Sequence, residues 1–97
     1  MATWKRLPQE QEEEDYWFAG SCFLTQGVSD TLSMAEVHWI LNDLHTFVKE
    51  EQGIDYLQVY ERDDGLRVWV IDQIRRVELI DHPAEHNHFT LLFPEEY

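Results

Sequence analysis

The residues from Ser33 to Gly53 carry the pattern of one long amphipathic helix. Ser33 is a favourable N-cap, and Glu36 three residues later completes a capping box. Gly53 predicts the end of the helix, because glycine readily adopts the left-handed conformation found there. The apolar residues recur at helical spacing over a little less than half of the circumference: Met34, Val37, Ile40, Leu41, Leu44, Phe47 and Val48. A helix with one wide apolar face must bury that face against another layer of the protein.

The residues after Gly53 predict the sheet on which this helix packs. Strand patterns cover residues 54–62 and 66–73, and the Asp63-Asp64-Gly65 turn between them predicts a hairpin. Further strands are predicted over 16–25, 74–80 and 89–93, with a connection over 28–32 and a polar loop over 81–88. One long helix and four to five strands joined by tight turns predict an α+β fold, with the helix on one face of a mainly antiparallel sheet.

The charge balance of the chain limits its partners. Its 97 residues, the size of one domain, include 20 acidic and 7 basic side chains, for a formal net charge of −13. We expect no direct binding to nucleic acid or to an anionic membrane, because phosphates are repelled, and we expect attraction to basic proteins. Neither a signal-peptide pattern nor an apolar run of about 20 residues is present, and the lone Cys22 fits a reducing compartment, which predicts a cytoplasmic location.

The first 15 residues predict an acidic, flexible tail ahead of a single α+β domain over residues 16–97. Residues 9–15 read Gln-Glu-Gln-Glu-Glu-Glu-Asp, and a run of this composition has nothing to bury. Trp4 and Leu7 could dock on the domain, but Pro8 and the acidic run favour a solvated segment.

Several strand and turn segments together resemble a known family. The most specific are Asp-Tyr-Leu-Gln-Val at residues 55–59 and Pro-Glu-Glu-Tyr at residues 94–97, supported by residues 24–28 and 68–72. Over about residues 23–97 the chain resembles the domain-of-unknown-function family numbered 960, small proteins of Gram-positive bacteria. The resemblance implies a fold and a cytoplasmic setting, and it implies no activity, cofactor or partner.

Three histidines, His82, His86 and His88, share the polar loop with Asp81 and Glu85. Histidine and carboxylate ligands can hold zinc or another divalent ion, so a metal-dependent enzyme using this loop is one alternative. The spacing matches no well-known site and no cysteine joins it, which favours a polar loop without a metal. The chain also has no nucleophile motif and no glycine-rich phosphate loop, so we expect neither an enzyme nor a cofactor.

Trp39 is the single residue that most indicates a binding surface. On a helical wheel it lies opposite Val37 and Leu41, away from the predicted core, and exposed tryptophans are frequent binding hot spots. Alternatively, Trp39 packs under the N-terminal segment or against a second copy of the chain. Tyr56 and Tyr60 share one face of a strand, where they either form a dimer surface or half-cover an open sheet face.

These features favour a small, acidic, non-enzymatic protein that binds a basic partner. Its most concrete form is an inhibitor or regulator of a nucleic-acid-handling protein, a DNA mimic of the anti-defence (anti-CRISPR) type, whose carboxylates stand where phosphates would bind. The predicted partner-binding residues are Glu12, Glu13, Glu14, Asp15, Trp39, Asp43, Glu50, Asp63 and Asp64. The first alternative is a cytoplasmic homodimer with a structural role, in which the acidity serves solubility.

Overall fold

A computed structural model of the protein describes residues 3–11, 14–74 and 87–97. Its elements are, in chain order, β1 (Trp4–Arg6), β2 (Ser21–Leu24), α1 (Gln26–Thr31), α2 (Met34–Glu51), β3 (Leu57–Arg62), β4 (Arg67–Asp72), β5 (His88–Leu92) and a 3-10 turn (Pro94–Glu96). The predicted α+β fold, one long helix with a mainly antiparallel five-stranded sheet, is confirmed. The predicted strand over 74–80, except for Ile74, and most of the predicted loop over 81–88 lie outside the described residues.

The sheet has the strand order β1-β3-β4-β5-β2. Neighbouring strands are antiparallel except for β2, which runs parallel to β5. Because β5 also runs parallel to β3, the segment from β2 through α2 to β3 joins two strands of the same direction. Such a connection needs a crossover, and α2 supplies it by crossing one face of the sheet.

The ends of α2 are formed as the sequence predicts. The Ser33 hydroxyl accepts a hydrogen bond from the Glu36 N–H at 3.2 Å, and the Glu36 carboxylate accepts one from the Ser33 N–H at 3.0 Å. The helix stops where Gln52 and Gly53 adopt φ values of 58° and 111°. Its buried residues are Val37, Ile40, Leu44 and Val48, whereas Met34 of the predicted apolar face is exposed. Among the described residues, no helix is both long and apolar enough to cross a bilayer.

The core lies between α2 and the facing side of the sheet. Tyr60 is fully buried there, whereas Tyr56, just before β3, is 41% exposed. The prediction that Tyr60 lies on an open or dimer-forming face is therefore wrong. The other large core side chains include Phe18, Ile54, Val68, Val70, Phe89 and Leu91.

Two predicted segments before α2 have a different structure. The predicted strand over residues 16–25 is limited to β2, since Tyr16 forms only an isolated bridge with Ile54. The predicted connection over residues 28–32 is largely helical, because Thr25 caps α1 by accepting a hydrogen bond from the Val28 N–H at 3.3 Å.

The predicted flexible tail is wrong for residues 4–6, which form β1 and pair antiparallel with β3. Trp4 is only 6% exposed, and its indole N–H donates to the Glu36 carboxylate of α2 at 3.0 Å. An apolar side chain that faces the helix explains why this short segment is ordered despite the acidic run that follows it.

A polar cluster anchors the chain after β1. The Gln9 carboxamide oxygen accepts hydrogen bonds from the Asp55 N–H and from the Gln58 carboxamide, both at 3.0 Å. Asp55 and Gln58 are buried, so these bonds satisfy groups that would otherwise lie unpaired in the interior. The Gln11 N–H donates to the Asp55 carboxylate at 3.3 Å, and the bridge at Tyr16 anchors the chain again. The acidic run is thus held on both sides of residues 12–13.

The hairpin predicted at Gly65 joins β3 to β4. The Arg62 N–H donates to the Leu66 carbonyl at 2.8 Å, the Gly65 N–H donates to the Arg62 carbonyl at 2.9 Å, and Gly65 has a φ of 91°.

We expect Gly65→Val to lower the free energy of unfolding by about 1 kcal/mol or more. A Cβ at Gly65 would meet no atom within 4 Å, so the loss arises from the positive φ alone. Gly65→Asn is the matched control, because asparagine tolerates this conformation. Urea unfolding of both variants measures the effect, and equal losses would contradict the assignment to backbone strain.

Candidate partner-binding surface

Trp39 lies on α2 with 43% of its surface exposed, so it does not point entirely away from the core as predicted. The rest of the indole packs edge-on against the ring of Tyr60, with 6.2 Å between the ring centroids. Since Tyr60 belongs to β3, this contact places Trp39 on the side of α2 that lies nearest to β1 and β3. The contact with Tyr60 therefore fixes the orientation of the indole, and part of its surface remains exposed to solvent.

Asp43, one turn after Trp39, is engaged within the protein. Its carboxylate accepts hydrogen bonds from the Arg6 guanidinium and from the Tyr60 hydroxyl, the latter at 2.8 Å. The Arg6 guanidinium also lies 3.7 Å over the ring of Phe47. Burial, reinforced by the bond to Asp43, raises the pKa of Tyr60, so the hydroxyl stays protonated and donates. Asp43 thus joins α2 to β1 and β3, and it is not the free surface charge that we predicted.

Asp64 is likewise paired within the chain. Both of its carboxylate oxygens accept from the Arg62 guanidinium, at 3.0 and 2.8 Å. These bonds, with a smaller effect of the Leu66 N–H, lower the pKa of Asp64 to about 2. Arg62 also pairs with Glu36 at 3.1 Å, which brings the hairpin to the N-terminal end of α2. Of the two predicted hairpin charges, only Asp63 remains exposed without an ion pair among the described residues.

Glu14 and Asp15 lie beside the C-terminal end of α2. The backbone of Tyr16 exchanges two hydrogen bonds of 3.0 Å with Ile54, three residues after the helix. The Glu14 carbonyl oxygen is 2.7 Å from the position that a Cβ on Gly53 would occupy. A side chain at Gly53 would therefore push the acidic run away from the helix.

We call Glu14, Asp15, Glu50 and Glu51 the acidic end. Glu50 and Glu51 are exposed on the last turn of α2, and Glu14 and Asp15 approach that turn from the N-terminal segment. The carbonyl groups at the end of the helix add to the negative potential of these carboxylates. Glu12 and Glu13 of the predicted site lie outside the described residues.

The described bases lie away from the acidic end, with one exception. Their ion pairs join Lys5 to Glu61, Arg6 to Asp43, Arg62 to Glu36 and Asp64, and Arg67 to Glu61. These pairs concentrate where β1 and the β3–β4 hairpin meet α2. Lys49 is the exception, because within the described ranges it forms no ion pair and lies on the last turn of α2.

The predicted binding residues fall into three separate groups. Trp39 and Asp43 lie midway along α2, Asp63 and Asp64 lie near its start, and the acidic end lies at its other terminus. Because α2 has 18 residues, its two ends are about 27 Å apart. The structure therefore does not bring all nine predicted residues to one surface.

A buried cluster around Asp72 is absent from the sequence-based predictions. Asp72 is 3% exposed, and its carboxylate accepts hydrogen bonds from the Phe18 N–H at 2.9 Å and from the Ile74 N–H at 3.4 Å. Phe18 is fully buried with a φ of 51°, and its carbonyl lies 3.1 Å from the His45 Nε2. The one sequence signal for this cluster is an acidic residue that ends the apolar run of residues 68–71.

The predicted histidine loop is only partly described. His82 and His86 lie outside the described residues, and His88 stacks on Phe23 with 4.6 Å between ring centroids. In the described part of the chain, no group of three or more His, Cys, Asp or Glu residues is placed to hold a metal ion. A metal-dependent enzyme that uses the complete loop stays an untested alternative.

Comparison of the chain with protein-family models, curated proteins and solved structures found no match. The resemblance to the domain-of-unknown-function family numbered 960 therefore stays a prediction from the residues quoted above.

Proposed function

We propose that this protein is a cytoplasmic, non-enzymatic binding protein whose acidic end engages a basic partner. In the form we favour, the partner handles nucleic acid, and the carboxylates of the acidic end occupy a groove that otherwise holds phosphates. The protein then acts as an inhibitor or regulator by competing with nucleic acid, as in the anti-defence class.

The observation that carries this proposal is the separation of charge along α2. Each described arginine forms an ion pair with a carboxylate of the same chain. Lys49 is the one described base near the acidic end. Glu14, Glu50 and Glu51 form no ion pair among the described residues, and such carboxylates produce a negative potential that steers a basic protein towards this end.

Trp39 supplies an apolar anchor for the same partner. Its exposed half offers a large rigid surface, and its contact with Tyr60 fixes the ring before binding occurs. An anchor that is already oriented loses less conformational entropy when it is buried in a complex.

The proposal is tested on partners captured from the heparin-binding fraction of a bacterial lysate, where basic nucleic-acid-binding proteins are enriched. We expect Glu50→Lys/Glu51→Lys to slow association with a captured partner about tenfold at low salt. The effect should fade between 0.1 and 1 M salt, where the screening length falls from about 10 to about 3 Å. Trp39→Ala should instead speed dissociation about thirtyfold, equivalent to about 2 kcal/mol.

The matched control is Asp30→Lys/Glu95→Lys, which changes the net charge by the same amount. Both side chains are exposed, and they lie near the β3–β4 hairpin end of the sheet rather than at the acidic end. We expect it to change association less than about twofold. Equal effects of the two double variants, or binding that resists both salt and competing duplex DNA, would exclude phosphate mimicry by the acidic end.

A further inference from the structure

The two edge strands of the sheet differ in their protection against pairing with another chain. Natural proteins protect exposed strand edges with lysine, other charges or proline. β1 has these features, because it contains Lys5 and Arg6 and is followed by Pro8. β2, at the opposite edge, reads Ser-Cys-Phe-Leu and has none of them.

The absence of charge around β2 is not explained by burial. Residues 16–29 contain no charged side chain, although 28% of the whole chain is charged. Ser21 is exposed, and Phe23 is 51% exposed while it stacks on His88. An exposed strand with an outward phenylalanine and no charge is a surface suited to association.

The outer edge of β2 presents backbone groups in a defined order. The N–H groups of Ser21 and Thr25 donate towards β5, to the carbonyls of Asn87 and Leu91, both at 3.1 Å. Because the direction of these groups alternates along a strand, the N–H and C=O of Cys22 and Leu24 point to the outer edge. Within the part of the chain that the structure describes, no strand pairs with that edge.

We propose that β2 pairs antiparallel with β2 of a second copy of this chain, across a two-fold axis at Phe23. Cys22 of each copy then lies opposite Leu24 of the other, and each such pair exchanges both N–H···O bonds. The two Phe23 residues form the non-hydrogen-bonded pair on the axis, with Cα atoms about 4.5 Å apart and their rings on the same face. The two five-stranded sheets become one continuous sheet.

A second copy suits this edge better than a basic protein does. β2 itself has no carboxylate to attract a basic partner, and the nearby Glu96 carboxylate already accepts hydrogen bonds from the Thr25 hydroxyl and the Phe93 N–H. An isologous pair places two identical strands without charge together. The net charge of −13 on each copy opposes association at long range, so the dimer should strengthen as salt rises. Binding of a basic partner at the acidic end should weaken with salt, so the two proposals succeed or fail separately.

Sedimentation velocity of the purified full chain, from low to high micromolar concentration and at low and high salt, tests the pairing. We expect a monomer–dimer equilibrium, which Phe23→Lys weakens at least about tenfold by removing the aromatic pair and placing two like charges together. Tyr97→Lys is the matched control, because Tyr97 is an exposed aromatic residue outside β2, and it should leave the equilibrium unchanged. Far-UV circular dichroism and thermal melting verify that each variant is folded.

Disulfide trapping tests the register. In a Cys22→Ser background, Phe23→Cys should form a disulfide-linked dimer on mild oxidation, because opposing Cα atoms about 4.5 Å apart lie within disulfide range. Ser21→Cys in the same background should not, since Ser21 lies opposite Thr25 of the second copy and the two Ser21 residues are about 13 Å apart. A chain that is monomeric under every condition, a dimer that survives Phe23→Lys, or equal trapping at both positions would overturn the proposal.

Discussion

Replacing Trp4 by alanine is expected to lower the free energy of unfolding by about 3 kcal/mol or more. Trp4 is 6% exposed and packs in the core cluster, and its indole N–H donates to the Glu36 carboxylate at 3.0 Å. The substitution removes the buried ring, leaves a cavity beneath α2 and ends that hydrogen bond. Chemical unfolding followed by far-UV circular dichroism measures the loss.

Glu10→Ala is the control for Trp4→Ala, because Glu10 is exposed in the same N-terminal segment. We expect it to change the free energy of unfolding by less than about 0.5 kcal/mol. If both variants unfolded at the wild-type denaturant concentration, residues 4–6 would be the solvated tail that composition alone predicts, and β1 would not contribute to the fold.

Replacing Asp72 by alanine is expected to cost about 2–3 kcal/mol of unfolding free energy. The Asp72 carboxylate accepts the N–H of fully buried Phe18, and without it that donor is left unpaired in the interior. A positive φ in a buried phenylalanine is itself unfavourable, so Phe18 depends on such contacts to keep its conformation. Asp72→Asn is the control, because a carboxamide oxygen still accepts the hydrogen bond, and we expect it to cost much less.

Comparison of the wild type with Asp72→Asn also tests the ionisation of Asp72. Burial raises its pKa, while backbone N–H donors and nearby His88 act in the opposite direction. The folded state therefore binds the proton more tightly than the unfolded chain, whose aspartate has a pKa of about 3.9. The stability contributed by Asp72 is complete below that value and declines as pH rises through the folded pKa. We expect the free energy of unfolding of the wild type, relative to Asp72→Asn, to fall as pH rises through this range, and a rise would contradict the raised pKa.

Variants of the core can be distinguished from variants of the two proposed binding surfaces by their effect on unfolding. Trp4 and Asp72 stabilise the fold, whereas Glu50, Glu51 and Phe23 are exposed and should change association with little effect on unfolding. A loss of partner binding in a variant that unfolds normally can then be attributed to the surface itself.

Residues close together in the sequence determined the parts of the fold that were predicted correctly. The capping box of Ser33 and Glu36 spans three residues, and the hairpin at Gly65 requires only one residue with positive φ. Local hydrogen bonds and backbone preferences decide such features, so they can be recognised without knowing what packs against them. The apolar spacing of α2 similarly predicted a single helix on one face of a sheet.

Contacts between distant residues decided the rest. β1 is ordered because Trp4 and Arg6 meet Glu36 and Asp43, which are 32 and 37 residues away in the chain. Asp43 and Asp64, which were predicted to be free surface charges, instead form ion pairs with Arg6 and Arg62 of the same chain. Composition fixes how many carboxylates the chain has, but only the tertiary structure decides which of them have an arginine within reach. Among the described residues, Glu50 and Glu51 have none, because the described arginines lie where β1 and the hairpin meet the helix.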